Sequence, residues 1–181
     1  MPNFVEKLDS CLVKYLARFN YRDYVERMGL KGNEEILEVG CGEGNLSRFL
    51  AGKLPLGKLV CIDKSKYWVE RAKKNLMNLR NVKFKAKSIL TFSGENFDAI
   101  IIHYVLHDIS ERKKSINILK SFLKRDGKIF IREPTRENHG MSSKEIRTLM
   151  KENRFFEKQS KEGYSFPLRG KVYEGVFVKS Y

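Results

Sequence analysis

The segment with the clearest chemical character is a glycine turn flanked by acids, which reads EVGCGEG over residues 38–44. Glycines adopt backbone angles closed to other residues, and they let a ligand approach the main chain. The turn follows a short apolar run, Glu35–Val39, and opens a helix, which is the context that a nucleotide-binding turn requires. In open α/β sheets, ligands bind at the carboxyl ends of strands, where this turn would lie.

Two classes of phosphate-binding turn fit this segment poorly. A dinucleotide-binding turn has the spacing G-x-G-x-x-G, whereas the third glycine here, Gly44, comes one position too early. Glu43 places a negative charge where a pyrophosphate would sit, and Glu38 adds a second acid at the strand end. The Gly-Lys-Ser/Thr of a P-loop is absent. The turn therefore favours a ligand with a cationic part and no phosphate.

The elements that would position this turn alternate between short apolar runs and amphipathic segments. Seven strands are predicted, at Glu35–Val39, Leu59–Ile62, Val82–Ala86, Phe97–His103, Lys128–Arg132, Phe155–Gln159 and Val172–Lys179. Helices are predicted at Asn45–Ala51, Lys66–Leu79, Glu111–Lys124 and Ser142–Glu152. This alternation predicts βαβ units, and therefore a mostly parallel sheet with helices on both faces. The link between the last two strands is too short for a helix, so they should pair antiparallel.

Helix ends have local signals of their own. Ser110 is expected to cap the helix that follows it, and Ser142 with Glu145 has the spacing of a capping box. Apolar residues recur at helical spacing from Phe4 to Met28, and the polar stretch 20–23 is expected to divide this region into two helices.

Composition sets limits on the class of protein. The 181 residues suit one domain, and 41% hydrophobic residues are enough for a core. Three cysteines without metal-ligand spacing favour a reduced, intracellular compartment. No apolar run is long enough for a transmembrane helix, and the first residues lack a signal-peptide pattern. We therefore expect a cytoplasmic protein, whose oligomeric state the sequence leaves open.

The net charge of +14 has two interpretations. One is an anionic partner, such as nucleic acid, an acidic metabolite or a membrane surface. The other, which we favour, is a lysine-rich solvated surface. Lys83, Lys85 and Lys87 alternate with apolar residues and would share one face of a strand, which is typical of a lysine-protected sheet edge.

Four segments together resemble a known family. ILEVGCGEG (residues 36–44) resembles the first signature motif, E/D-x-G-x-G-x-G, of class I S-adenosylmethionine-dependent methyltransferases. Three later segments resemble the ubiquinone/menaquinone-biosynthesis-like subgroup (methyltransferase domain type 11): FDAIIIHYVLHDI (97–109), LKRDGKIFIREP (123–134) and SSKEIRTLMKENRFF (142–156). The resemblance runs from about Arg18 onward. It implies an α/β, Rossmann-like, doubly wound, mostly parallel seven-stranded sheet, whose last strand is antiparallel, with amino-terminal helices added.

The resemblance also implies a cofactor, S-adenosyl-L-methionine, and the residues that hold it. Glycines of the turn would cradle the methionine part, and Asp63 would bind both ribose hydroxyls. Where the family usually has Gly-Asp to contact adenine, this chain has Lys87-Ser88, so Ser88 takes that place without a carboxylate. The expected cofactor-binding residues are Glu38, Gly40, Cys41, Gly42, Gly44, Asn45, Asp63, Lys64, Ser65, Ser88 and His103.

Candidates for the chemistry lie after the fourth and fifth strands. By resemblance, Tyr104 lies beside the sulfonium, although packing is an equal alternative for it. His107 is a candidate general base, with helix capping and packing as the alternative, and Glu133 is a second candidate. No metal is predicted, because nothing in the spacing of Asp108, Glu133 and His139 demands one.

The resulting expectation is a methyltransferase acting on a small metabolite, with the charge favouring an anionic one. Residues 1–32 are predicted as a helical lid and 33–181 as the core of a single domain. Phe19, Tyr21 and Tyr24 would then line a pocket, or simply pack in the core. Methylation of RNA or protein is the first alternative, and a cofactor-binding module without catalysis is the second. The Asn/Asp-Pro-Pro-Tyr motif of base-amino methylation is absent from residues 103–106.

Overall fold

The computed structural model describes residues 18–94, 96–136, 139–165 and 170–180. The strands are β1 (Glu35–Val39), β2 (Lys58–Asp63), β3 (Val82–Ala86), β4 (Phe97–His103), β5 (Leu123–Arg136), β6 (His139–Gly140), β7 (Phe155–Ser165) and β8 (Gly170–Lys179). The helices are α1 (residues 18–26), α2 (Ser47–Gly52), α3 (Lys66–Asn75), α4 (Arg112–Phe122) and α5 (Ser143–Glu152). A single 3₁₀ turn, Leu106–Asp108, follows β4.

The principal sheet has the order β3-β2-β1-β4-β5-β8-β7, and the short β6 pairs with β5 outside this path. Strands β1 to β5 are parallel, whereas β8 is antiparallel to both of its neighbours. The predicted seven-stranded, mostly parallel sheet with an antiparallel last strand is therefore confirmed. The chain winds from β1 outward to β3 and then returns to β4 on the other side of β1. This reversal opens a crevice at the carboxyl ends of β1 and β4, where such sheets bind ligands.

Alternating side chains of the sheet supply two buried clusters. Leu37, Ile100 and Ile129 pack with residues of α4 and α5 on one face. Ile36, Ile101 and Phe130 pack on the other face with α2 and with the end of α1. Helices thus cover both faces of the parallel sheet. Because its strands are buried on both faces, their sequences are nearly continuous apolar runs.

Several predicted boundaries differ from the structure. Helix α1 continues through residues 20–23 without the expected break, because Tyr24 and Val25 are buried and Asp23 forms an i,i+4 ion pair with Arg27. The expected helix over residues 4–17 lies outside the described residues. Helix α3 ends at Asn75, four residues early.

Of the two predicted helix caps, one is wrong and one is confirmed. Ser110 does not cap α4: the N-cap is Glu111, which makes no side-chain cap hydrogen bond, and Ser110 faces a cavity instead. The capping box of Ser142 and Glu145 at α5 is confirmed in both of its hydrogen bonds. Strands β7 and β8 are longer than predicted, because they pair with each other as far as Ser165 and Gly170.

The lysines of β3 lie on the edge strand of the sheet. Lys83 and Lys85 of β3, and Lys87 immediately after it, are all exposed, as expected for a protected edge. Among the described residues, no helix has the length and apolar character needed to span a membrane.

Candidate active site

A cavity of about 310 Å³ opens at the carboxyl ends of β1, β2 and β3. Its polar lining includes Asp63 at the end of β2 and Ser88 just after β3. Gly40, the first glycine of the turn, forms part of the wall. Residues after β4 close the opposite side. The cavity therefore joins the glycine turn, the acid of the second strand and the loop after the third strand in one space.

The glycine turn has the backbone that its sequence predicts. Gly40, Gly42 and Gly44 all have positive φ, at 68°, 52° and 87°. A Cβ atom added to Gly40 would lie 2.3 Å from a methyl group of Val105, so only glycine fits below that side chain. A Cβ atom on Gly44 would lie 2.8 Å from Leu76 of the segment after α3. Two of these glycines are thus required by close packing as well as by backbone angle.

Asp63 ties the glycine turn to the second strand. Its Oδ2 accepts a hydrogen bond from the Gly42 N–H at 3.0 Å, and its Oδ1 accepts one from the Ser65 N–H at 2.9 Å. Ser65 rather than Asp63 is the N-cap of α3. A carboxylate offers about four lone-pair positions, so Asp63 retains acceptor capacity for two hydroxyl groups.

Glu38 lies below the turn rather than in the cavity. It is 2% exposed, and its Oε2 accepts hydrogen bonds from Ser47 Oγ at 2.5 Å and from Cys61 Sγ at 3.4 Å. Burial raises the pKa of Glu38 to about 7, and the nearby charge of Asp63 acts in the same direction. In this arrangement Glu38 holds the turn against β2 and α2.

The remaining expected cofactor residues divide into two groups. Lys64, Ser65 and Ser88 line the cavity with Asp63. The other group lies outside the lining: Cys41 is buried and Asn45 is exposed, with its amide directed at Glu43 Oε1 3.3 Å away.

Sequence reasoning missed the apolar walls of the cavity. Ile62, Ile89, Val105 and Ile109 line it, together with Trp68 from the first turn of α3. No spacing rule separates these residues from ordinary core residues. Only their position next to Asp63, Ser88 and the end of β4 could have indicated them.

His103 and Tyr104 lie in an aromatic cluster beneath α1. The ring centroid of His103 is 4.1 Å from that of Tyr104, 5.5 Å from that of Tyr21 and 5.6 Å from that of Tyr24. Tyr24 is buried and Tyr21 is half-buried, whereas Phe19 is 52% exposed. Tyr104 has a positive φ of 57°, which turns the chain sharply after β4.

A buried arginine anchors this cluster. Arg132, which is 3% exposed, donates to Asn20 Oδ1 at 2.5 Å and forms an ion pair with Glu174 at 3.1 Å. Its guanidinium carbon lies 4.9 Å from the centre of the Tyr24 ring and 5.6 Å from that of Tyr104. Because β4 and β5 are in register at His103 and Arg132, the two side chains emerge side by side under α1.

His107 and Glu133 form a buried pair on the opposite face of the sheet. His107 Nδ1 contacts Glu133 Oε1, and Glu133 Oε2 accepts the Leu106 N–H at 3.0 Å. The side chain of His107 is 8% exposed and that of Glu133 is 0% exposed. Glu133, the second candidate base, therefore lies behind His107 and is not exposed to the cleft, because β5 directs it into the core. Burial raises the pKa of Glu133, while its hydrogen bond with His107 opposes the shift.

No group of three or more His, Cys, Asp or Glu side chains that could hold a metal ion occurs in the described part of the chain. The shape and chemistry of the cavity fit an adenosine group better than an ion. Its walls are largely apolar, and its polar lining includes the carboxylate of Asp63 and the hydroxyl of Ser88, while Gly40 brings the glycine turn to its wall.

Comparisons with known proteins agree with this geometry. A family model described as a methyltransferase domain matches residues 30–170. The malonyl-[acyl-carrier protein] O-methyltransferase 1 of Ilyobacter polytropus is 32% identical over 102 residues, covering 56% of this chain and 38% of that protein. The demethylmenaquinone methyltransferase of Thermotoga maritima is 29% identical over 100 residues, covering 55% of this chain and 43% of that protein. The chain thus spans less than half the length of these two relatives.

Solved structures share the fold. A SAM-dependent methyltransferase from Aquifex aeolicus superposes with a TM-score of 0.79, covering 90% of this chain and 90% of its own, at 20% identity. The match of the family model covers most of the chain, and the mostly parallel sheet with its antiparallel last strand is the one that the resemblance implied. The chain belongs to the methyltransferase domain family, with the Rossmann-like fold of the class I S-adenosylmethionine-dependent enzymes.

Proposed function

We propose that this chain transfers the methyl group of S-adenosylmethionine to a small molecule, with an anionic one favoured by the net charge of +14. The observation that carries the proposal is the cavity that joins Gly40, Asp63 and Ser88. Its volume of about 310 Å³ lies within the usual range of small-molecule sites, about 300–1,000 Å³.

In this proposal the chain holds the cofactor through three contacts. Asp63 accepts the ribose hydroxyls, Ser88 and the apolar wall of Ile89 meet the adenine, and the glycine turn receives the methionine part. The bound cofactor supplies an activated methyl group on a sulfonium. The protein then has to orient the acceptor atom in line with that methyl group and exclude water. Orientation of this kind is worth about 7–11 kcal/mol of a reaction barrier.

The acceptor would enter near His103 and Tyr104, at the carboxyl ends of β4 and β5. Helix α1 covers this point through Tyr21 and Tyr24, which supports a lid role for the described part of residues 1–32, over the core at 33–181. Arg132 fixes the lid to the sheet through Asn20. Its charge is partnered by Glu174, so the preference for an anionic acceptor rests on net charge alone.

A base is needed only when the acceptor atom begins with a proton, as in a hydroxyl group or an acidic carbon. The sequence candidate for that role is His107, since an imidazole is matched to neutral pH. In the structure, however, its side chain lies buried on the face of the sheet opposite the entry point under α1, and it does not line the cavity. A free amine or a thiolate acceptor would require no base.

Methylation of RNA is the second candidate function. The exposed lysines in and just after β3 favour it, because one of them, Lys87, also lines the cavity. The relatives described above point the other way, since neither of their names refers to a nucleic acid. Edge protection accounts for Lys83 and Lys85 without a polyanionic partner.

The deciding experiment supplies methyl-labelled S-adenosylmethionine to the purified protein together with an extract of its source cells. Label in the small-molecule fraction supports the proposal. Label that ribonuclease removes, or that stays with protein, contradicts it. Binding of S-adenosylhomocysteine without transfer to any fraction would identify a cofactor-binding module. An Asp63→Asn variant is the matched control, because it should lose label in every fraction.

A further inference from the structure

Four serines line the cavity beside the glycine turn, and three of their hydroxyl groups are accounted for. Ser65 Oγ accepts a backbone N–H as the N-cap of α3. Ser88 Oγ lies 3.1 Å from Thr91 Oγ1 and shares a hydrogen bond with it. Ser110, before α4, is exposed to solvent. The fourth, Ser115, is the one of these serines that is buried.

Ser115 contributes a polar group to the cavity that the fold itself does not use. It lies on the buried face of α4 and is 2% exposed. Its backbone N–H donates to the Glu111 carbonyl, as the helix requires. In the part of the chain that the structure describes, however, its hydroxyl group has no hydrogen-bond partner. A buried hydroxyl without a partner costs free energy, and serine is a weaker helix former than alanine. Neither packing nor helix stability therefore explains the hydroxyl at this position.

Ser115 and Asp63 reach the cavity from opposite sides of β1. Asp63 ends β2, whereas α4 follows β4, and β1 lies between these two strands. A nucleoside whose ribose is bound at Asp63 can therefore extend its base across the cavity toward α4. The walls along this path include the apolar side chains of Ile62, Ile89 and Val105. A polar atom of the base finds few partners there, so a free hydroxyl group gains importance.

We propose that Ser115 is a specificity residue for the cofactor, whose hydroxyl group binds the edge of adenine that carries N1 and the 6-amino group. This edge is the one farthest from the ribose. It offers one acceptor and one donor, and a serine hydroxyl can pair with either because it both donates and accepts. The inference rests on the proposed function, in which this cavity holds the cofactor.

Binding of S-adenosylhomocysteine, measured by calorimetry, tests the residue without any methyl acceptor. Ser115→Ala removes one oxygen atom and should weaken binding about 3- to 10-fold, the worth of one hydrogen bond between neutral groups. The unliganded variant should unfold at the same temperature as the wild type or higher, because it loses an unpaired hydroxyl and gains a better helix former. A clear loss of stability would show a structural role for Ser115 and overturn the proposal.

Ser121→Ala is the matched control on the same helix. Ser121 is exposed, and its hydroxyl donates to the Ile118 carbonyl at 2.7 Å. The Ser121→Ala variant should bind S-adenosylhomocysteine as the wild type does. An equal loss of affinity in both variants would show an effect on α4 as a whole and would overturn the proposal.

Cofactor analogues test the edge of adenine that Ser115 binds. One analogue of S-adenosylhomocysteine lacks the 6-amino group, and the other has carbon in place of N1. The wild type should bind at least one of them about 3- to 10-fold more weakly than S-adenosylhomocysteine. In Ser115→Ala this difference should largely disappear, because the partner is already absent. Undiminished differences for both analogues overturn the proposal, and so does their disappearance in Ser88→Ala alone.

Cofactor binding and methyl transfer separate this inference from the proposed function. A wild type that binds no S-adenosylhomocysteine contradicts both. A wild type that binds it no more tightly than Ser115→Ala contradicts this inference alone. If Ser115→Ala weakens binding but the wild type transfers no label to small molecules, the proposed function fails and the role of Ser115 is supported.

Discussion

Ser47 donates a 2.5 Å hydrogen bond to the buried carboxylate of Glu38, and this bond joins the end of β1 to the beginning of α2 across the glycine turn. The same carboxylate oxygen also accepts the thiol hydrogen of Cys61 on β2. Three elements that meet at the cofactor site are therefore held by one buried acid.

Glu38 should make the stability of the protein depend on pH. Burial raises its pKa to about 7 in the folded state, from 4.5. A raised acid pKa means that the folded chain binds the proton more tightly than the unfolded chain does. The contribution of Glu38 to the free energy of unfolding is therefore fully present below pH 4.5. It decreases as the pH rises from 4.5 through 7, by about 3 kcal/mol in total.

The measurement is the free energy of unfolding by urea between pH 5 and 8. In Glu38→Gln the decline with pH should become shallower, whatever the absolute stability of the variant. Burial of Glu133 adds a slope of the same sign, so the difference between the two proteins isolates Glu38. The exposed Glu152→Gln is the control. Parallel curves for wild type and Glu38→Gln would contradict the assignment.

Asp63→Asn should weaken the binding of S-adenosylhomocysteine by about 10- to 100-fold, the worth of one hydrogen bond to a charged group. The asparagine amide places a donor against the N–H of Gly42 or Ser65, so one of the two bonds is lost and the acceptor for ribose is weakened. Isothermal titration calorimetry measures the change. Glu70→Gln, on the exposed side of α3, should bind as the wild type does; equal affinities for all three proteins would remove Asp63 from the site.

Gly40→Ala and Gly42→Ala form a matched pair within one turn. Both glycines have positive φ, but a Cβ atom meets Val105 at 2.3 Å only at Gly40, whereas nothing lies within 4 Å at Gly42. Gly42→Ala should therefore cost about 1 kcal/mol from backbone strain alone. Gly40→Ala should cost about 1–3 kcal/mol more from overpacking.

Overpacking against Val105 as the reason for the glycine can be tested by removing the methyl groups of that side chain. In the double variant Gly40→Ala/Val105→Ala, part of the added cost should disappear, which a double-mutant cycle of unfolding free energies can measure. Strictly additive losses would show that Val105 is not the reason for the glycine.

Asn20→Ala should loosen α1 without loosening the sheet. The variant loses the bond from Arg132 and the bond to Ser165 Oγ, which are 2.5 Å and 2.7 Å long. Losses of about 2 kcal/mol for such bonds correspond to roughly 30-fold faster amide exchange in residues 21–26. Hydrogen exchange followed by mass spectrometry resolves this segment. Arg22→Ala, exposed on the same helix, is the control, and an equal acceleration across β1 and β4 would show that α1 is not an independent lid.

The cofactor side of the site could be predicted from sequence because its signals are local. Gly40, Gly42 and Gly44 lie within five residues, and Asp63 ends the next strand. Parallel strands bring their carboxyl ends to one edge, so the contact of Asp63 with the turn follows from topology.

The acceptor side could not be predicted in the same way. Arg132 meets Asn20, 112 positions away, and Tyr104 meets Ser165, 61 positions away. These contacts depend on the docking of α1 against the sheet and on the insertion of β8 between β5 and β7. Neither arrangement produces a periodic pattern in the sequence. The complete burial of Glu133 could not be predicted for a related reason. The pleat of β5 decides which of the adjacent residues Arg132 and Glu133 faces His107, and the sequence does not give the phase of that pleat.

The placement of β8 has a consequence for how the chain reaches its native state. Strand β8 follows β7 in the chain, yet it lies between β5 and β7 in the sheet. While the polypeptide emerges from the ribosome, β7 has no hydrogen-bonding partner and β5 keeps a bare edge until β8 has also been synthesised. The glycine turn, Asp63 and Ser88 are translated well before that moment. A nascent chain stalled before residue 170 would therefore carry the cofactor-binding residues together with an unpaired strand edge, which is the form in which chaperones would be needed most.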